Sequence, residues 1–196
     1  MDVSKYLDLN IAPRVLFDAL PERKDTPRFF VKRGSEWKPV TWQAFADQVE
    51  RVALWLASSN FGPGDRAAVY APNSVEWAAA ALAIQAAGGV MVPVYAASTL
   101  EQLAYVASHC DAKVVFTTSA LLPRVRDAWP KLPALERVVL LDDAASDDKR
   151  VVPWSAAKGQ GDVRKLIDAV PLDAIGLMLY TSGTTGNPKG VPLSHR

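Results

Sequence analysis

The 196-residue chain is long enough to bury one substantial core, and its length suggests one or at most two domains. Apolar residues make up 49% and charged residues 22%, as in an ordinary globular protein, while a net charge of +1 removes the electrostatic case for a nucleic-acid partner. The single cysteine, Cys110, has no partner for an internal disulfide, which fits a reducing compartment, and it reads as a small buried apolar residue.

The first residues carry Asp2, Lys5 and Asp8 and lack the apolar run of a signal peptide. Val15 to Leu20 is predicted as a short helix ended by Pro21. Arg28 to Arg33 and Trp37 to Val40, around Gly34-Ser35, read as a hairpin with Pro39 at an edge. Thr41 is placed to cap a long helix with Trp42, Phe45, Val49, Val52 and Leu56 on one face, stopped by Gly62-Pro-Gly-Asp65. Arg66 to Tyr70 is a strand, and Asn73 or Ser74 caps a helix ending near Gly88-Gly89. Val90 to Val94 is the next strand. Ser98 with Glu101 forms a capping-box pattern for a helix reaching about His109. Lys113 to Thr117 is a strand, Ser119 to Trp129 a helix, and Arg137 to Leu141 a strand. The polar run from Asp142 to Arg150 is an exposed loop, and Val163 to Ala169 a helix.

Strand and helix alternate through this region, so the fold class expected is α/β, with a mainly parallel sheet covered by helices on both faces. The alanine-rich stretch from Trp77 to Tyr95 contains Gln85, Gly88-Gly89 and Pro93, so it is a poor membrane span and reads as helix followed by strand. A soluble, cytoplasmic protein is expected, with peripheral attachment at a membrane surface left open.

The segment from Tyr180 to Gly190 reads Tyr-Thr-Ser-Gly-Thr-Thr-Gly-Asn-Pro-Lys-Gly. Glycines let successive backbone N–H groups converge on one anion, hydroxyls add donors, and lysine adds a compact positive charge. That is the composition of a phosphate-holding loop. It is not the P-loop of strand–loop–helix proteins, because Pro188 stands where the second glycine of that pattern belongs and Lys189 is followed by Gly190. Ile175 to Tyr180 reads as a buried strand and Val191 to His195 as another, so the loop joins two strands with no helix dipole behind it. A plain Gly- and Thr-rich hairpin turn is the bland alternative.

This string, with the following Val191-Pro-Leu-Ser-His-Arg196, resembles the phosphate-loop signature of the adenylate-forming enzymes: acyl-CoA synthetases, luciferases and peptide-synthetase adenylation domains. Gly64 to Trp77, Ala79 to Tyr95, Ser98 to Tyr105 and Ala112 to Thr117 are similar to further segments of that family, so the likeness covers most of the chain from about Thr41, weakening across residues 118 to 174. Asn73 to Trp77 and Pro93 through Tyr105 look most like long-chain fatty acyl-CoA synthetases. The resemblance implies an ATP- and Mg2+-dependent acid–thiol ligase that adenylates a carboxylic acid, a fatty acid by likeness, and passes the acyl group to coenzyme A. Thr181, Ser182, Gly183, Thr184, Thr185, Gly186, Lys189 and Gly190 would hold the ATP phosphates, and Thr184 would also reach the magnesium ion. A ligase for another carboxylic acid and an acyl-AMP ligase loading a carrier protein are the alternatives. A stand-alone phosphate-binding module or an inert α/β unit stands as a reading of another class.

In the resembled family the chain continues well beyond this loop, supplying adenine and ribose contacts, an acidic magnesium ligand and a mobile C-terminal domain with the catalytic lysine. Residues 1–196 are therefore expected to be the N-terminal part of an adenylation domain, with 1–40 as extension and hairpin and 175–196 as strand, phosphate loop and strand. No catalytic residue is expected within it, and alone it is expected to be inactive. His195 reads as structural, because a lone histidine more often is. His109 next to Cys110 suggests no metal site or nucleophile without spaced partners. Asp142, Asp143, Asp147 and Asp148 lack the glycine and bidentate glutamate of a calcium loop and read as solvated.

Overall fold

Caps, turns and apolar alternation account for most element boundaries in the computed structural model, which describes residues 10–181 and 188–196. In chain order the elements are α1 (Ala12–Asp18), α2 (Leu20–Arg23), β1 (Pro27–Arg33), β2 (Glu36–Thr41), α3 (Trp42–Ser58), β3 (Arg66–Tyr70), α4 (Val75–Ala86), β4 (Val90–Val94), α5 (Leu100–His109), β5 (Ala112–Thr117), α6 (Leu122–Ala128), β6 (Arg137–Leu140), β7 (Val151–Pro153), α7 (Val163–Asp168), β8 (Ile175–Thr181) and β9 (Lys189–Ser194). Among the described residues, β1 and β2 form an antiparallel hairpin, and seven strands form one sheet in the order β7-β6-β5-β3-β4-β8-β9. Every neighbour pair in that sheet is parallel except β8 with β9. The fold is thus α/β with a mainly parallel sheet.

Side chains alternate across the strands and feed two cores. Ala67, Val69, Met91, Val114 and Phe116 pack with α1, α3, α4 and α7 on one face. Ala68, Tyr70, Val92, Val115 and Val138 pack with α5 and α6 on the other. The buried Thr117 hydroxyl donates to the Tyr70 carbonyl at 2.8 Å and ties the ends of β5 and β3 together.

Several boundaries are held by named local contacts. Thr41 caps α3 by accepting from the Ala44 N–H, and Ser74 caps α4 by accepting from Trp77. At the end of α4 the Gly88 N–H reaches the Gln85 carbonyl and the Gly89 N–H reaches Ile84, with Gly88 at φ 78°. That left-handed stop turns the chain straight into β4, so the alanine-rich stretch is helix then strand. No helix among the described residues is long and apolar enough to cross a membrane.

Three local expectations are corrected, and one strand was not foreseen. Pro21 does not end a helix from Val15 to Leu20: α1 is Ala12–Asp18, and Pro21 opens α2, where its missing N–H costs nothing. The capping box belongs to Thr99 and Gln102, one residue beyond Ser98 and Glu101, with both reciprocal bonds formed. α6 starts at Leu122 rather than Ser119, because the Ser119 N–H and hydroxyl are both taken by the Asp142 carboxylate. Val151–Pro153 is a short edge strand, too brief to carry a periodic signal, and proline is tolerated there.

Candidate functional site

β8 is parallel to β4, with Met91 opposite Leu177, and antiparallel to β9, from Ile175 opposite Ser194 to Thr181 opposite Lys189. Its carboxyl end therefore lies at the same edge of the sheet as the ends of β3, β4 and β5. β4 and β5 flank β3 on opposite sides, so this edge includes the point where the winding reverses. Open α/β sheets bind ligands in the crevice outside such carboxyl ends.

Of the expected phosphate-site residues, Ser182, Gly183, Thr184, Thr185 and Gly186 lie outside the described residues, and with them the magnesium role of Thr184. Thr181, Lys189 and Gly190 are described. Thr181 and Lys189 face each other across the ladder, which puts both side chains on one face, and both are exposed. An exposed lysine charge beside a hydroxyl is a donor set that suits phosphate oxygens. Gly190 lies opposite Tyr180, and a Cβ there would stand 3.1 Å from the Tyr180 ring and 3.2 Å from the Met178 sulfur. Its described contribution is room for that ring. Among the described residues no three His, Cys, Asp or Glu side chains gather as a metal cluster. Mg2+ prefers oxygen ligands and needs few from protein, so the hydroxyl side chains of this loop would suit it only as an ion carried by phosphate.

β8 was expected to be buried, and here the structure differs. Ile175 and Leu179 on β8, with Val191 and Leu193 on β9, are between 37% and 42% exposed. The hairpin lies at the sheet margin, and nothing among the described residues covers its outer face.

The sequence reading missed the supports of this hairpin. The Tyr105 hydroxyl on α5 donates to the Pro188 carbonyl at 3.1 Å, and His109 Nδ1 shares a 2.7 Å hydrogen bond with the Tyr180 hydroxyl. Burial pushes the Tyr180 phenol up to about 12, so it stays protonated at neutral pH. The available signal was the spacing of Tyr105 and His109, four residues apart on one helical face. His195, read as structural, is packed against its own hairpin. Its N–H donates to the Ala174 carbonyl, its ring occupies the space over Gly176, and burial lowers its pKa. Burial likewise pushes the Cys110 thiol up to about 11, which disfavours its thiolate. The acidic run is not merely solvated. Asp142 holds Ser119, Asp143 accepts from the Ser155 N–H, and Asp148 pairs with Arg150.

The AMP-binding enzyme family model matches residues 17–196. The chain belongs to the AMP-binding enzyme family. Among curated members, the medium-chain-fatty-acid–CoA ligase of Ectopseudomonas oleovorans is 30% identical over 170 residues, 85% of this chain and 31% of that protein. The long-chain-fatty-acid–CoA ligase FadD15 of Mycobacterium bovis is 31% identical over 160 residues, 81% of this chain and 27% of its own length. The 3-oxocholest-4-en-26-oate–CoA ligase of Rhodococcus rhodochrous is 28% identical over 95% of this chain and 33% of its own. This AMP-binding chain thus spans about a third of the length of the relatives it matches. In three dimensions it superposes on the acetoacetyl-CoA synthetase of Streptomyces lividans with a TM-score of 0.85 at 23% identity, covering 98% of this chain and 35% of that one. The anthranilate–CoA ligase AuaEII, solved with anthranoyl-AMP, gives 0.79 at 20% identity, covering 100% and 36%. At those identities the likeness carries the fold.

Proposed function

We propose that this chain is the N-terminal part of a fatty acid–CoA ligase, and that residues 181–190 hold the β- and γ-phosphates of ATP. One observation carries the reading: Thr181 and Lys189 stand opposite each other, exposed, at the carboxyl edge of the parallel sheet, flanking a segment of two hydroxyl-bearing threonines and two glycines between Ser182 and Asn187. The matched curated relatives, named as medium- and long-chain fatty acid ligases, support the acyl class.

In this reading a substrate carboxylate oxygen attacks the α-phosphorus of ATP, and the bond to the bridging oxygen breaks, giving acyl-adenylate and pyrophosphate. The thiol of coenzyme A then attacks the acyl carbonyl, and AMP leaves. Lys189 neutralises charge on the departing pyrophosphate, and the threonine hydroxyls with glycine N–H groups orient it in line. Thr184 would contribute a hydroxyl to the magnesium ion that ATP brings. Adenine, ribose and the carboxylate are held by later parts of the longer polypeptide, as is the lysine that completes catalysis, so residues 1–196 alone form no acyl-adenylate. The protein works in the cytoplasm or at a membrane surface.

A second reading within the class is a ligase for a non-fatty carboxylic acid, favoured by the sterol-acid ligase of Rhodococcus rhodochrous among the relatives. ATP–pyrophosphate exchange by the longer polypeptide, run against fatty acids of graded length, a sterol acid and an aromatic acid, tests both readings. Exchange dependent on a fatty acid supports the first. Exchange with the sterol or aromatic acid alone transfers the assignment to the second, and no exchange with any acid overturns both.

A further inference from the structure

The two strands that carry the glycine-rich loop are each held by a side chain of α5. Tyr105 grips the Pro188 carbonyl at 3.1 Å on the β9 side, and His109 holds the Tyr180 hydroxyl at 2.7 Å on the β8 side. Four residues apart on the helix, the two rings stack with centroids 5.5 Å apart at 29°, and His109 meets the Tyr180 ring edge-on at 5.6 Å. α5 is itself rigidly placed. Its start is locked by the Thr99–Gln102 capping box, and Leu103, Ala104, Val106 and Ala107 are buried beneath it.

Pro188 and Lys189 share one peptide plane. The plane is stiff and includes the Lys189 Cα, so an oxygen anchored at one end fixes the root of the Lys189 side chain at the other. Proline has already restricted φ at Pro188, which leaves that peptide few ways to turn. We propose that Tyr105 is a positioning residue for nucleotide phosphates, acting through the Pro188 carbonyl to aim Lys189. His109 and Tyr180 steady the opposite strand. The proposal rests on reading residues 181–190 as the phosphate site.

Tyr105→Phe in the longer polypeptide removes one hydroxyl and keeps the ring and its stacking. Loss of one neutral hydrogen bond should lower kcat/KM for ATP in pyrophosphate exchange by about three- to tenfold. The melting temperature, and thioester formation from supplied acyl-adenylate, should stay unchanged. Without nucleotide, hydrogen exchange at the Lys189 and Gly190 amides should quicken while that of α5 does not. If Tyr105 acts through Lys189, the double variant Tyr105→Phe/Lys189→Ala should be no worse than Lys189→Ala. Wild-type exchange in Tyr105→Phe, equal damage to both half-reactions, a collapse of folding, or fully multiplicative losses in the double variant would each overturn the positioning role while leaving the phosphate site standing. An undamaged Lys189→Ala would remove the phosphate-site reading itself.

Discussion

β3 to β6 and the β8–β9 hairpin belong to one sheet and solve different problems. Strands β3, β5 and β6 are enclosed on both faces, and Ala68, Val69, Tyr70, Val115, Phe116 and Val139 are fully buried. The hairpin joins that sheet through the single registered pair of Met91 and Leu177, keeps a partly exposed apolar face, and presents Thr181 and Lys189 outward. Burial stabilises the first region by about 25 cal/mol for each Å² of apolar surface removed from water. The second region leaves part of its apolar surface in water and keeps Thr181 and Lys189 exposed at the sheet edge. Stability and binding are therefore expected to separate by mutation.

The sharpest way to break this comparison is to truncate each region. Phe116→Ala, which empties a fully buried site packed edge-on against Trp154, should cost about 3–5 kcal/mol in urea unfolding. Leu179→Ala, at a position 37% exposed, should cost about 1 kcal/mol or less. Comparable losses would show that the hairpin is as much core as the central strands.

Next in size is Lys189→Ala in the longer polypeptide. One charge-assisted contact of about 1.5–3 kcal/mol corresponds to about one to two decades in adenylation rate or ATP affinity. Thermal stability should hold, and the thioester step from supplied acyl-adenylate should be largely spared, because pyrophosphate has already left. Equal damage to both half-reactions would make Lys189 a support of the fold.

One hairpin position behaves like the core. A Cβ on Gly176 would collide with the His195 ring, so Gly176→Ala should cost about 1–3 kcal/mol by forcing that ring aside. Unfolding at unchanged denaturant midpoint would mean that the ring moves freely.

The smallest effect is a pH dependence from the same contact. Burial lowers the His195 pKa below its ordinary 6.5, so the unfolded chain binds more protons between the two values. The stabilising preference for neutral imidazole is complete above pH 6.5 and is lost as pH falls towards the folded value. The denaturant midpoint should therefore fall on acidification across that window, by less in His195→Gln. An identical slope in the variant would place the dependence on other groups.

Much of this was legible from local rules. Arg66 to Tyr70 and Val90 to Val94 are strands because short apolar runs end at turn residues, and Thr41 and Ser74 mark helix starts because their hydroxyls reach orphan N–H groups. The makeup of the glycine-rich loop, Lys189 included, is read directly from its residue types. Errors arose where neighbouring signals competed. Thr99 outcompeted Ser98 as a cap, Ser119 was diverted by a carboxylate 23 positions away, and β7 is a strand only because β6 lies beside it.

The sequence by itself determined the alternation of strands and helices and the makeup of the glycine-rich loop, since propensity, capping and residue chemistry act over a few residues. Only the tertiary structure decided the strand order, the exposed margin at β8 and β9, and the grip of Tyr105 and His109 on the loop's stem. Those contacts join positions 71 and 83 apart in the chain, and no periodicity within α5 could say which strand its face would meet.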